Sequence, residues 1–206
     1  MRLLVATQNP GKVREFRDLL APLDTDLCFP SEVGLHIEVS EDGDTYADNA
    51  GQKALAYAVT SGMLTLADDS GLEVDALDGA PGIFSARYAS GHDVDRVEAL
   101  LAHLRDVPTE RRTARFRCVV VIASPDGRTI HTAEGVCEGR IAFAPSGQRG
   151  FGYDPVFFLP EYNCTMAQLT QEKKNHISHR ARAVEAALPA LRDLLAQGVF
   201  GQKRAT

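Results

Sequence analysis

Three stretches of the chain hold more polar side chains than packing needs. The first is "TQNPGK", Thr7 to Lys12, set between the apolar run "LLVA" and an amphipathic segment. A strand, a turn and a helix start in that order gather backbone N–H groups where anions bind. Lys12 falls in the first helical turn, where the helix dipole disfavours a cation. An anion between the lysine and the N–H groups would remove that conflict. The outline is that of a phosphate P-loop, but Ala6 replaces its first glycine and Val13 its metal-binding hydroxyl. A broken P-loop, a different phosphate site and an ordinary strand-turn-helix all fit these residues.

The second stretch is acidic. Asp68 and Asp69 follow "LTLA", and Glu41 lies in the turn "SEDGD". Neighbouring carboxylates raise each other's pKa unless a cation neutralises them. A hard divalent ion would do so, and Mg²⁺ takes one or two carboxylates together with waters and substrate phosphates. Adjacent strand residues point to opposite faces, so Asp68 and Asp69 need not share one task. A solvated acidic turn is the alternative. The third stretch pairs "GFGYD", Gly150 to Asp154, with "EKKNHISHR". The first offers rings for stacking a base and a carboxylate for its polar edge. The second offers Lys173, Lys174, His179 and Arg180 at a helix start, with Ser178 as its N-cap. Core aromatics and solvated charge are the plainer readings.

The elements that must position these groups follow from periodicity. Met1 to Thr7 reads as a buried strand, and Lys12 to Leu20 as a helix with Val13, Phe16, Leu19 and Leu20 on one face. Asp26 to Phe29 and "HIEV", His36 to Val39, read as strands. Thr45 and Asp48 have N-cap and capping-box spacing for a helix from Tyr46 to Ser61, closed by Gly62. "MLTLADDSGLEVDAL" reads as strand, acidic turn and strand, and "DGAPGIFSARYASG" as a long loop. His92 to Leu104 is amphipathic, with Val94, Val97, Leu100, Leu101 and Leu104 on one face. "ARFRCVVVIASPDGRTIHTAEGVCEGRIAF" reads as a hairpin turning at Ser124 to Gly127. A glycine-rich loop, a short strand and a C-terminal helix kinked at Pro189 complete the chain. Alternating strands and helices followed by a hairpin point to an α/β fold with a mixed sheet.

Composition narrows the function. The chain has 206 residues and a net charge of −6, which suits one soluble domain and not a general nucleic-acid binder. No run is apolar and long enough to span a membrane, and the apolar run in "MRLLVAT" is too short for a signal peptide. Cys28, Cys118, Cys137 and Cys164 are widely spaced, as expected for buried free thiols in a reducing cytoplasm.

Four pieces, "ATQNPGKVREF", "ADDSGLEVDALDGAPGIFSARYA", "GFGYDPVFF" and "EKKNHISHRARA", occur in one order from residue 3 to about residue 183. Together they resemble the inosine triphosphate pyrophosphatase family, the purine nucleotide pyrophosphatases that remove non-standard nucleotides. The resemblance implies hydrolysis of ITP, dITP or XTP between the α- and β-phosphates, giving a monophosphate and pyrophosphate, with Mg²⁺. It implies that Thr7, Gln8, Asn9, Pro10, Gly11 and Lys12 bind the triphosphate, and that Ser70 touches substrate. Asp69 would be the general base or the metal-bound group that orients water, and Glu41 the second metal ligand. Phe151, Gly152, Tyr153 and Asp154 would form the base pocket, closed by Lys174, His179 and Arg180. The implied fold is one domain over 1–206, an elongated mixed sheet flanked by helices, in two lobes with an active-site cleft between them. A cytoplasmic homodimer is also implied, with "GIFSARYASG" as a possible contact. A nucleotide sensor that binds without hydrolysis is the competing class. An aspartyl-phosphate phosphatase fits poorly, because "ADDSG" lacks a D-x-D pair.

Overall fold

The computed structural model describes residues 2–197. Its sheet has seven strands in the order β2-β1-β3-β4-β5-β6-β7. The strands are β1 (Arg2–Val5), β2 (Asp26–Cys28), β3 (Leu64–Val74), β4 (Thr113–Ala123), β5 (Thr129–Ile141), β6 (Phe157–Leu159) and β7 (Cys164–Thr165). β1 pairs parallel with β2 and β3, whereas β6 pairs antiparallel with β5 and β7. The mixed sheet and the α/β class are therefore as expected. The helices are α1 (Pro10–Leu20), α2 (Tyr46–Ser61), α3 (Asp93–His103), α4 (Gln171–Ile177) and α5 (His179–Gln197).

The chain divides into two compact units. The second comprises Ser70–Cys118 and Val136–Arg182, and the first the other described residues. In the first unit Leu3, Leu4 and Val5 of β1 are buried, and Phe16 and Leu20 of α1 are buried while Val13 and Leu19 are half-buried. The N-cap and the stop read for α2 are present, while the Asp48 carboxylate accepts from the Thr45 hydroxyl at 2.7 Å. Thr45 Oγ1 accepts from Asp48 N–H at 3.1 Å, and Gly62 ends the helix in the left-handed conformation with φ 67°. In the second unit Leu72, Val97, Leu100, Phe116, Phe157 and Met166 belong to one apolar cluster. Burial pushes the thiol of Cys137 in that cluster up to about 11, which suits a packing thiol.

Several expectations need correction. "MLTLADDSGLEVDAL" has no acidic turn: β3 runs unbroken through Asp68 and Asp69, and both are buried. "HIEV" belongs to none of the strands. Instead the Tyr57 hydroxyl donates to Ile37 O at 3.2 Å, so a side chain holds it where a ladder would. The "GIFSARYASG" loop carries a 3₁₀ helix over Gly82–Arg87. Val94 is 65% exposed, so the apolar face of α3 begins at Val97. Ser178 does cap α5, its hydroxyl accepting from Ala181 N–H at 3.2 Å, and α4 precedes it where no helix was read.

One buried cation organises the second unit. Arg112 is 2% exposed. It donates to the carbonyls of Leu104 and Ile141 at 2.9 Å and of Ala142 at 3.0 Å. Its guanidinium also lies 4.2 Å from the centroid of the Phe143 ring. These carbonyls end α3 and β5 and have lost water, so the arginine replaces solvent as their donor. Arg112→Met should lower unfolding free energy by about 3 kcal/mol. Urea denaturation would read this as a lower midpoint at unchanged slope. An unchanged midpoint would show that the carbonyls find other donors.

Candidate active site

The residues singled out in the sequence fall into two groups, one in each unit. In the first unit, α1 begins at Pro10 and Asn9 is its N-cap. Asn9 Oδ1 accepts from Gly11 N–H at 2.8 Å and from Lys12 N–H at 3.1 Å. The N–H groups that the sequence offered to an anion are therefore capped by the protein itself. Thr7 Oγ1 accepts from Asn9 N–H at 3.3 Å, and Gln8 Nε2 donates to the Tyr57 hydroxyl at 3.2 Å. This mesh fixes the loop between β1 and α1.

Lys12 does meet an anion. Its ammonium lies 2.9 Å from Oδ2 of Asp68, whose side chain is 1% exposed. A second cation, missed in the sequence, reaches the same place from α2. Lys53 donates to the backbone carbonyl of Asp68 at 3.0 Å and forms an ion pair with Glu41. Burial alone would lower the pKa of Lys53, but Asp68, Glu41 and Asp69 together hold it above its ordinary value. Asp69 accepts from Asn49 Nδ2 at 3.1 Å. Burial raises its carboxyl above the ordinary range, opposed by Lys12, Asn49 and Lys53. So Glu41, Asp68 and Asp69 come together around Lys12 and Lys53, residues far apart in sequence. Asn49 and Lys53 are four residues apart in an Ala-rich helix, which puts both on one face and was the available signal.

The donor set has a clear chemical character. Among the described residues no group of three or more His, Cys, Asp and Glu side chains is arranged for a metal. The acids present are three carboxylates, Asp68, Asp69 and Glu41, all interacting with Lys53. An oxygen-only set of this size fits a hard cation that fills its coordination with water and phosphate.

In the second unit the backbone of "GFGYD" is tightly held. Asp154 is 2% exposed and accepts from Phe151 N–H at 3.0 Å. It also takes a hydrogen bond from the buried ammonium of Lys174. Gly150 has φ 75°, and a Cβ there would stand 1.9 Å from Asp154 Oδ2, so only glycine fits. Gly152 N–H donates to Asp93 Oδ2 at 2.6 Å, a loop anchor not read from the sequence. Tyr153 is buried in the apolar cluster, and its hydroxyl donates to Ser85 O at 2.9 Å. Phe151 stays half-buried, with Lys174 Nζ at 5.0 Å and Arg180 Cζ at 5.7 Å from its ring centroid. Arg180 also donates to Ser70 Oγ at 2.8 Å, and His179 stacks on Phe116 with centroids 4.7 Å apart. The third stretch is thus a hydrogen-bonded frame around one partly open ring.

The raised pKa of Asp69 has a consequence for stability. The folded state holds this proton more tightly than the unfolded state does. Its contribution is largest below the ordinary carboxylate range and is lost as pH rises through the folded-state value. In the metal-free protein at neutral pH, Asp69→Asn should therefore raise the thermal midpoint, since the amide removes a desolvated charge. A midpoint lower than the parent's would mean that the carboxylate is a net stabiliser there.

Comparison with known proteins gives concordant matches. Residues 3–190 match the Ham1 family. The chain is 54% identical over 196 residues to a dITP/XTP pyrophosphatase of Desulforamulus reducens, covering 94% of this chain and 97% of that protein. It is 45% identical over 184 residues to a dITP/XTP pyrophosphatase of Bacillus subtilis, covering 88% and 92% respectively. The solved structure of the Staphylococcus aureus Ham1 protein is 38% identical with a TM-score of 0.80, covering 96% of this chain and 100% of that one. These matches run through all four sequence motifs, and the chain belongs to the Ham1 family.

Proposed function

We propose that the protein hydrolyses non-standard purine nucleoside triphosphates, dITP, ITP and XTP, to the monophosphate and pyrophosphate with Mg²⁺. The observation that carries this reading is the buried acid pair of β3 neutralised by Lys12 and Lys53. Such a cluster is costly to bury and has no need to exist in a structural core. Its likeness to the dITP/XTP pyrophosphatases supports the substrate class.

In this reading the residues around Lys12 and Asp69 handle the triphosphate, and those around Phe151 the base. Asp69 and Glu41 would hold Mg²⁺, which would neutralise phosphate charge and polarise the scissile anhydride. Lys12 exchanges Asp68 for the triphosphate, with Thr7, Gln8 and Asn9 placing it through the loop that Pro10 and Gly11 complete. Asp69, with its raised pKa, accepts a proton from the attacking water or orients it. Charge that develops on the leaving pyrophosphate is met by Lys12.

Phe151 stacks the base, while Asp154, Tyr153 and Gly152 keep its ring in place. Lys174, His179 and Arg180 form the wall behind it, and Ser70 is reached through Arg180. A donor facing the 6-oxo group of hypoxanthine or xanthine would face another donor in adenine, and the mismatch rejects it. The enzyme works as a cytoplasmic homodimer. Phe84, in the "GIFSARYASG" loop, is 54% exposed with Arg87 at 5.3 Å from its ring centroid, which suits a contact surface. A light-scattering mass near a single chain, 22.3 kDa, would count against the dimer.

The test is product identification with dITP and Mg²⁺. Pyrophosphate and dIMP are expected. Phosphate and dIDP would place the cleavage elsewhere, and tight binding without turnover would make the protein a sensor. Asp69→Asn should lower kcat by about 10²–10⁴-fold. Near-normal turnover in that variant would remove Asp69 from the chemistry.

A further inference from the structure

Asn49 is completely buried in the first turns of α2. Its amide is used at both ends. Nδ2 donates to Asp69 Oδ2 at 3.1 Å, and Oδ1 accepts from Gly43 N–H at 2.8 Å. Gly43 N–H is a donor only, so it fixes which end of the amide faces Asp69. Gly43 itself has no room for a side chain. A Cβ there would stand 2.6 Å from Asp48 Cβ and 3.0 Å from Asn49 Oδ1. The acidic turn that carries Glu41 is therefore seated directly on α2, with Asn49 as the peg.

A loop-anchoring asparagine would need only the Gly43 bond. The second bond goes to a buried carboxylate on another element, β3. One rigid side chain thus spans from the segment of Glu41 to Asp69. We propose that Asn49 is a positioning residue for the reaction. It fixes the carboxylate plane of Asp69 and the distance from Asp69 to the Glu41 turn, so both acids meet the metal without rearrangement. This inference rests on the reading of Asp69 and Glu41 as metal ligands. Side chains that orient ligands in this way commonly contribute about 10–100-fold to metal affinity or activity.

The experiment uses the full chain, with Mn²⁺ as the metal probe. Metal affinity is measured by calorimetry without nucleotide, alongside kcat and KM for dITP and the thermal midpoint. Asn49→Ala should weaken Mn²⁺ binding and lower kcat by roughly 10–100-fold each, leaving KM within about threefold. Asn49→Asp keeps the acceptor for Gly43 but loses the donor to Asp69. It should lower kcat at least about tenfold, and it serves if the alanine variant fails to fold. Folded variants with parental Mn²⁺ affinity and kcat, changed only in midpoint, would reduce Asn49 to a structural anchor and overturn the proposal. A parent protein that releases no pyrophosphate would contradict the proposed function instead, and the Mn²⁺ affinities would still decide the role of Asn49.

Discussion

Two carboxylates on adjacent residues of a buried strand can stand together only where cations reach them. Asp68 and Asp69 do so in β3 because Lys12 arrives from the start of α1 and Lys53 from the middle of α2. That requirement fixes much of the first unit. It sets the short turn between β1 and α1, because Lys12 must lie in the first helical turn to point back at β3. It sets the register of β1 on β3, where Val5 pairs with Leu66. It also sets the face of α2, where Asn49 and Lys53 lie among alanines. An uncompensated charge at any of these places would cost several kcal/mol, on the order of half the stability of a typical domain.

The second unit solves a different problem, that of holding a loop rich in glycine. Glycine gives the backbone of "GFGYD" its left-handed turns but no side chains to pack. Rigidity is supplied by the loop's own Asp154 on Phe151, and from outside it by Asp93 on Gly152 and Lys174 on Asp154. Arg112 plays a similar part for the ends of α3 and β5. Asp154 and Arg112 are buried charged side chains that bond backbone groups directly, and the buried Lys174 holds Asp154 in turn. The result is a frame that leaves Phe151 as the partly open ring beside Lys174 and Arg180.

How much was legible in the sequence follows from how local each determinant is. The cap at Thr45, the stop at Gly62 and the hairpin at Ser124 to Gly127 are set by neighbours in the chain, and they were readable. The unbroken course of β3 was not, because an Asp-Asp pair looks like a turn until its lysine partners are known. The "HIEV" segment misled for the converse reason: its alternation of exposure is real, but Tyr57 bonds it and no strand pairs with it. Lys12, Asp69 and Glu41 stood out as unusual charges. Asn49, Lys53 and Asp93 did not, since an Asn, a Lys or an Asp in a helix is ordinary until it is known what the helix faces.

The acids of β3 depend on the coupling of Lys12 to Asp68. A double-mutant cycle of Lys12→Met and Asp68→Asn, read as unfolding free energy in urea without metal, measures it directly. If the buried pair is what lets β3 carry its acids, the two changes should be non-additive by more than about 1 kcal/mol, with the double variant more stable than the sum of the single losses implies. Additivity within about 0.5 kcal/mol would mean that Asp68 does not depend on Lys12 and would contradict the account.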